Sequence, residues 1–220
     1  AHIKKARAQV AALLGADYID EKHGENTEII FTSCGTESDN AAINSALLTC
    51  PKKRKAVISR VEHPAVLNVG KELERHGHTV AYVPVDKKGR IDMDALEDMV
   101  DEETAVVSVM WANNEIGNVY PVEEIAEIAH RYGALFHTDA VQAVGKIPIN
   151  MANSNIDMLS LSGHKLHAPK GIGALYVRRG IRFRPMMVGG HQERGRRGGT
   201  ENTASIVALG KACELAMKNT

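Results

Sequence analysis

Short apolar runs alternate with longer amphipathic stretches along most of the chain. Residues 1–14 place alanine, valine and leucine on one helical face, and Gly15 is a usual helix stop. After a polar loop, residues 28–32 predict a strand. A turn of small residues then leads to a helix over 41–48. Residues 55–60 predict the next strand, and Pro64 opens a helix over 64–76, as proline does at a first helical position. A strand over 79–84, a short helix over 92–100 and a β-branched strand over 104–110 follow. Pro121 opens a helix over 122–132, which Gly133 ends, and 134–137 is a strand. Strands over 144–149, 156–161 and 173–177 and a helix over 205–218 complete the pattern. Strands alternating with helices predict an α/β domain with a mainly parallel sheet. In such sheets ligands bind beyond the carboxyl ends of the strands.

Composition narrows the classes. A chain of 220 residues suits one large domain with its own core. Lysine plus arginine number 27 and aspartate plus glutamate 27, so no net charge points to nucleic acid or an anionic membrane. No apolar run approaches a membrane span. Cys34, Cys50 and Cys213 form no framework and have no metal-like spacing, which predicts a reducing compartment, the cytoplasm. His2, His23, His76, His78 and His130 read as surface residues. His191-Gln192-Glu193 has the wording of a zinc deaminase but no Cys-x-x-Cys partner, so no metal site is expected. The first residues lack the pattern of a signal peptide. The chain starts without methionine inside one helix and stops inside another, so it is expected to be a fragment.

Candidate chemistry sits at the strand ends. Lys165 lies in a short turn between the strands 156–161 and 173–177, where partial desolvation would lower its pKa and free the amine to attack a carbonyl. A turn cap is the alternative. Ser33-Cys34-Gly35-Thr36 joins a strand to a helix and reads either as a phosphate cradle or as a plain N-cap with Thr36 as the cap residue. His63 lies at a strand-to-helix junction and either serves the site or bonds nearby backbone. Asn113-Asn114 follows a core strand, as a functional loop or an Asx-turn. Asp139 ends a buried strand and needs a cation or donors, with a protonated pyridine nitrogen as one candidate and a turn cap as the other. The Gly/Arg-rich stretch 186–203 reads as an anion-reaching loop or a solvated one. Phosphate cradle, aromatic stacker, carboxylate with Gln142, and turn lysine are together the set that a pyridoxal-phosphate site needs.

Several ordered motifs carry a family resemblance. They are Thr32-Ser33-Cys34-Gly35-Thr36-Glu37-Ser38-Asp39, Glu62-His63-Pro64-Ala65-Val66, Asn113-Asn114-Glu115-Ile116-Gly117, His137-Thr138-Asp139-Ala140-Val141-Gln142, Ser162-Gly163-His164-Lys165 and Arg197-Gly198-Gly199-Thr200. In these the chain resembles the cysteine desulfurases of the NifS/IscS type, in the class V branch of fold type I pyridoxal-phosphate enzymes. The wording Met110-Trp111-Ala112-Asn113-Asn114 and Lys165-Leu166-His167-Ala168-Pro169 looks most like the nitrogen-fixation NifS subgroup. The resemblance implies a fold type I large domain over 1–220, with a mainly parallel seven-stranded sheet flanked by helices. It implies pyridoxal 5′-phosphate as cofactor and Lys165 as its Schiff-base lysine. Asp139 would pair with the pyridine nitrogen, and His63 would stack on the ring and assist proton transfer. Gln142 would bond the ring hydroxyl oxygen, and Asn114 would contact that region and the substrate carboxylate. Gly35, Thr36, Ser162 and His164 would hold the phosphate, and Gly163 would be a further cofactor-binding residue. Thr200 would reach the phosphate of a neighbouring subunit's cofactor, which implies a homodimer.

The implied reaction takes sulfur from L-cysteine, leaves L-alanine, and passes a persulfide to an iron–sulfur scaffold protein. The family's nucleophilic cysteine lies in a C-terminal loop, and none of Cys34, Cys50 or Cys213 sits in that motif. The chain is therefore expected to carry the cofactor half and to turn over little by itself. Three other readings stand beside this one. They are a selenocysteine lyase or another class V enzyme, a non-catalytic dimerising scaffold, and a nucleotide-binding module, which the glycine spacing disfavours.

Overall fold

The computed structural model describes residues 1–16 and 18–218. Seven strands form one sheet: β1 (Ile29–Thr32), β2 (Lys55–Ser59), β3 (Thr79–Val83), β4 (Thr104–Ser108), β5 (Leu135–Asp139), β6 (Met158–Ser162) and β7 (Gly173–Val177). Their spatial order is β1-β7-β6-β5-β4-β2-β3. β7 runs antiparallel to both its neighbours, and the other pairings are parallel. The helices are α1 (His2–Leu13), α2 (Gly35–Thr49), α3 (Pro64–Arg75), α4 (Met93–Met99), α5 (Val122–Arg131) and α6 (Thr203–Ala216). Among the described residues, no helix is long and apolar enough to cross a membrane.

Apart from the edge strand β3, the strands are buried on both faces, so their side chains divide between two cores by alternation. Ile30, Ala56, Ile58, Leu175 and Val177 face α2 and α3. Ile29, Phe31, Val57, Phe136, Leu159 and Tyr176 face the core shared with α1, α5 and α6. Toward the carboxyl ends of the strands the α2 side turns polar. Ser108, His137 and Ser160 share that face and are linked side chain to side chain. A row of buried polar groups thus underlies the edge where the site residues gather.

Two local expectations change. The helix predicted over 41–48 begins at Gly35, with Cys34 as its N-cap and no side-chain cap bond. Thr36 is therefore inside the first turn and is not the cap. Polar residues tolerate this helical start because their groups are satisfied locally. The Ser33 amide donates to Glu37 Oε2 at 2.8 Å, Ser38 Oγ donates to the Cys34 carbonyl, and Asn40 donates to the Thr36 carbonyl. The strand predicted over 144–149 does not form. The amides of Val144, Lys146 and Ile147 bond back to the carbonyls of Ala140 and Ala143, and Gly145 has a left-handed φ of 73°. Pro148 has no amide to give a ladder. His130 is exposed, as expected of a surface residue, and its Nε2 lies 2.8 Å from Asp157 Oδ2, which raises its pKa.

Candidate functional site

Five strands, β1, β2, β4, β5 and β6, each deliver one piece of the candidate site as they leave the sheet. β1 ends at Thr32 and passes through Cys34 into α2. β2 leads to His63 and α3. β4 leads to Met110 and Asn114, β5 ends on Asp139 before Gln142, and β6 ends on Ser162 before Lys165. These residues line one cleft of about 210 Å³, together with Gly35, Thr36, Asp39 and His164. Sequence reasoning named most of them, and the sheet brings them to one place.

The α2 end of the cleft is built for an anion. Among the described residues, the amides of Gly35, Thr36 and Glu37 have no acceptor, as expected for the first turn of a helix. Ser162 Oγ and His164 Nδ1 lie 2.9 Å apart beside them. A Cβ on Gly35 would lie 2.9 Å from Val141 Cγ2, so only glycine keeps this corner open. Glu37 does not spoil the positive end of the helix, because Arg197 Nε pairs with its Oε1 at 2.9 Å. Burial raises the Glu37 carboxyl, but Arg197 and the Ser33 donors outweigh it and hold it below its ordinary value.

The floor is acidic. Asp139 is buried, and its Oδ1 accepts from the Val141 amide at 2.9 Å. Burial raises its pKa, against the opposing pull of that bond and of His63. No lysine or arginine pairs with it among the described residues, which leaves its carboxylate open to a cation entering the cleft. His63 stands at the mouth, exposed, with Nδ1 accepting from the Ala65 amide at 3.1 Å. In the neutral form of the ring, that bond puts the proton on Nε2. Backbone bonding and a place in the cleft are thus compatible for this residue.

Lys165 lies in a single turn of 3-10 helix, Gly163–Leu166, and its side chain is exposed. The expected desolvation by the flanking strands is absent, because the turn lifts the lysine clear of the buried strand ends. Gly163 does not line the cleft. It packs beneath the turn, where a Cβ would meet Ile172 Cγ2 at 2.7 Å. Gln142 Oε1 accepts from Lys146 Nζ at 2.7 Å. Thr200 lies elsewhere, on a second cleft of about 250 Å³ with Phe31, Glu193 and Arg197.

Three buried groups escaped the sequence reading. Glu62 Oε1 accepts from Ser59 Oγ at 2.5 Å and from the Met110 amide at 2.7 Å, and burial pushes its carboxyl up to about 8. His137 is fully buried between Ser108 and Ser160, and burial pushes it down to about 3. Asp39 lines the cleft from α2. The signals were spacing signals: His137 is two residues before Asp139 on one strand face, and Asp39 is four after Gly35 on one helix face.

Residues 1–220 match the aminotransferase class-V family. A cysteine desulfurase of Nostoc sp. is 61% identical over 215 residues, covering 98% of this chain and 52% of that protein. Cysteine desulfurase NifS of Azotobacter vinelandii is 57% identical over 216 residues, again 98% and 52%. The chain spans about half the length of the curated relatives it matches. Among solved structures, a NifS-like protein superposes with a TM-score of 0.91 at 43% identity, covering 99% of this chain and 58% of the other. A structure described as SspA in complex with cysteine gives 0.89 at 41% identity, covering 97% and 60%.

Proposed function

The chain belongs to the aminotransferase class-V family, whose members and the related cysteine desulfurases depend on pyridoxal 5′-phosphate, and from that premise we propose that it supplies the cofactor site of a cysteine desulfurase. The reaction converts L-cysteine to L-alanine. A protein thiol takes the sulfur and becomes a persulfide, the substrate's carbon–sulfur bond breaks, and its β-carbon takes a proton. The observation that carries this reading is the convergence of Asp139, His63, Lys165, Ser162 and the free α2 amides on one cleft. The desulfurase relatives, at 57–61% identity, support the choice of reaction.

The residues fit the cofactor on their own chemistry. The open corner at Gly35, the free amides, Thr36, Ser162 and His164 suit a phosphate. Asp139, buried and unpaired with a cation, suits a ring nitrogen that carries a proton. When bound, pyridoxal phosphate supplies an aldehyde that condenses with amines and a ring that withdraws electrons from the attached group. Lys165 Nζ would hold that aldehyde and would also carry a proton. His63 Nε2 holds a second proton at the mouth of the cleft. Asn114 and Gln142 orient polar groups of ring and substrate.

In this reading residues 1–220 are the cofactor-binding large domain, and the sulfur-accepting thiol is none of Cys34, Cys50 and Cys213. The protein works in the cytoplasm as a homodimer, with Thr200 serving the partner's phosphate site, and it hands sulfur to an iron–sulfur scaffold protein, in a nitrogen-fixation setting. The test joins residues 1–220 to the remaining half of the Azotobacter vinelandii relative and measures alanine released from L-cysteine. Alanine from this protein and none from its Lys165→Ala variant is the expected result. A folded, cofactor-loaded protein that releases alanine from selenocysteine alone would overturn it in favour of a lyase.

A further inference from the structure

Asp39 is a carboxyl with no visible reason to be ionised. It is 1% exposed, and its Oδ1 has no hydrogen-bond partner among the described residues. The nearest ring nitrogen, His137 Nε2, is 3.6 Å away, beyond a hydrogen bond. That imidazole is itself buried and uncharged at neutral pH, and its nitrogens are engaged by Ser108 and Ser160. No lysine or arginine pairs with Asp39 among the described residues. An isolated buried carboxylate is costly enough that the group takes up a proton instead.

Its neighbours strengthen the case. Asp139 faces it from the end of β5, Glu62 from the segment after β2, and Cys34 from the N-cap of α2. Only the Ser160 hydroxyl, on β6, favours its charged form. His63, His164 and Lys165 line the cleft nearer the mouth. Burial first, then the charge of Asp139, raises the Asp39 carboxyl well above its ordinary range. Two carboxyls in one low-dielectric floor cannot both ionise easily. Asp139 is the better site for the charge, because the Val141 amide donates to it and His63 faces it.

We propose that Asp39 is a positioning residue for the cofactor ring: a neutral acid in the floor of the cleft that confines the ionised charge to Asp139. The pair then offers one negative charge to the one positive charge of a protonated ring nitrogen. This rests on the proposed cofactor for its purpose, but not for its physical content. The proton count belongs to the protein with or without the ring.

Two consequences separate this role from simple packing. Asp39→Asn keeps a neutral group of the same shape, so in the parent background it costs less cofactor affinity at pH 7 than it does beside Asp139→Asn. Asp139→Asn removes the second cause of the raised Asp39 value and leaves burial, so Asp39 holds its proton less tightly and a cationic ring nitrogen draws the charge onto it, partly replacing Asp139. Asp39→Asn therefore costs about 10-fold or more in affinity when Asp139 is already asparagine, a non-additivity that mere packing does not produce.

The experiment labels aspartate carboxyl carbons with carbon-13 and follows their titration in the cofactor-free protein, alongside equilibrium dialysis of pyridoxal phosphate. One carboxyl signal is expected to stay in the protonated position at pH 7, to vanish in Asp39→Asn, and to titrate at lower pH in Asp139→Asn. If every aspartate is ionised at pH 7, or the protonated signal belongs to Asp139, the proposal fails. Equal effects of Asp39→Asn in both backgrounds overturn it as well. Should the folded protein not bind the cofactor, the proposed function fails, while the carbon-13 titration still decides the state of Asp39.

Discussion

Replacing Glu62 by glutamine should stabilise the protein in a pH-dependent way. Glu62 is buried, both of its donors point at Oε1, and Oε2 has no partner. Glutamine can present its carbonyl oxygen to Ser59 and Met110 and leave the same second position unmatched. With the acid protonated the two side chains are nearly equivalent, so their stabilities should agree within about 1 kcal/mol near pH 4.5. The folded-state value of about 8 lies above the ordinary 4.5. Between these values the native state holds a proton that the unfolded state has lost. Wild-type stability from this group therefore falls as pH rises through that window, and the loss is complete above about 8. At about 1.4 kcal/mol per pH unit the ceiling is about 5 kcal/mol. Relaxation and water entry lower such penalties, so a difference of about 2–4 kcal/mol in favour of glutamine is expected at pH 8.5. Urea denaturation of both proteins, free of cofactor, at pH 5, 6, 7 and 8.5 measures it, and titrations common to both cancel. A difference that stays flat with pH would refute the reasoning, because Glu62 would then have the same proton in both states.

Other outcomes follow from single contacts. Gly35→Ala should weaken binding of pyridoxal phosphate by about 10-fold or more with little loss of helix content, since its Cβ enters the corner beside Val141; equilibrium dialysis and circular dichroism check the two halves. Arg7→Met should cost about 3–5 kcal/mol, because it strands the buried Glu193, which Arg7 Nη1 holds at 2.6 Å; the urea midpoint measures it. The His130–Asp157 pair stabilises the fold fully below pH 6.5 and loses that contribution as pH rises past the raised folded-state value. The gap in thermal midpoint between wild type and His130→Asn should therefore be larger at pH 6 than at pH 9.

Much of the architecture is legible in the alternation of patterns. The strands ending at Thr32, Ser59, Ser108, Asp139 and Ser162 are apolar runs that stop at polar residues, and each stop lies on the cleft side of the sheet. Strand-forming residue types mislead where local bonding wins. Residues 144–149 hold the β-branched Val144, Ile147 and Ile149, yet Ile147 bonds back to Ala143 and Pro148 cannot enter a ladder. At the start of α2, the polar run 35–40 reads as a turn until Glu37 is seen to satisfy Ser33 and Arg197 together, a contact of 160 positions in sequence. The exposure of Lys165 is invisible in sequence for a related reason. Apolar strands flank it, but the intervening turn decides its direction. Buried acids such as Glu62 and Asp39 are the hardest to foresee, because a charged letter reads as a surface residue until its surroundings are known.

The central claim is that Lys165 holds pyridoxal phosphate in the cleft shared with Asp139 and His63. The most direct measurement incubates the chain with the cofactor, reduces it with borohydride, digests it, and locates the modified peptide by mass spectrometry. The account predicts phosphopyridoxyl on Lys165 and its loss in Lys165→Ala. Label spread over other lysines of a folded chain, with Lys165 unmodified, would contradict it.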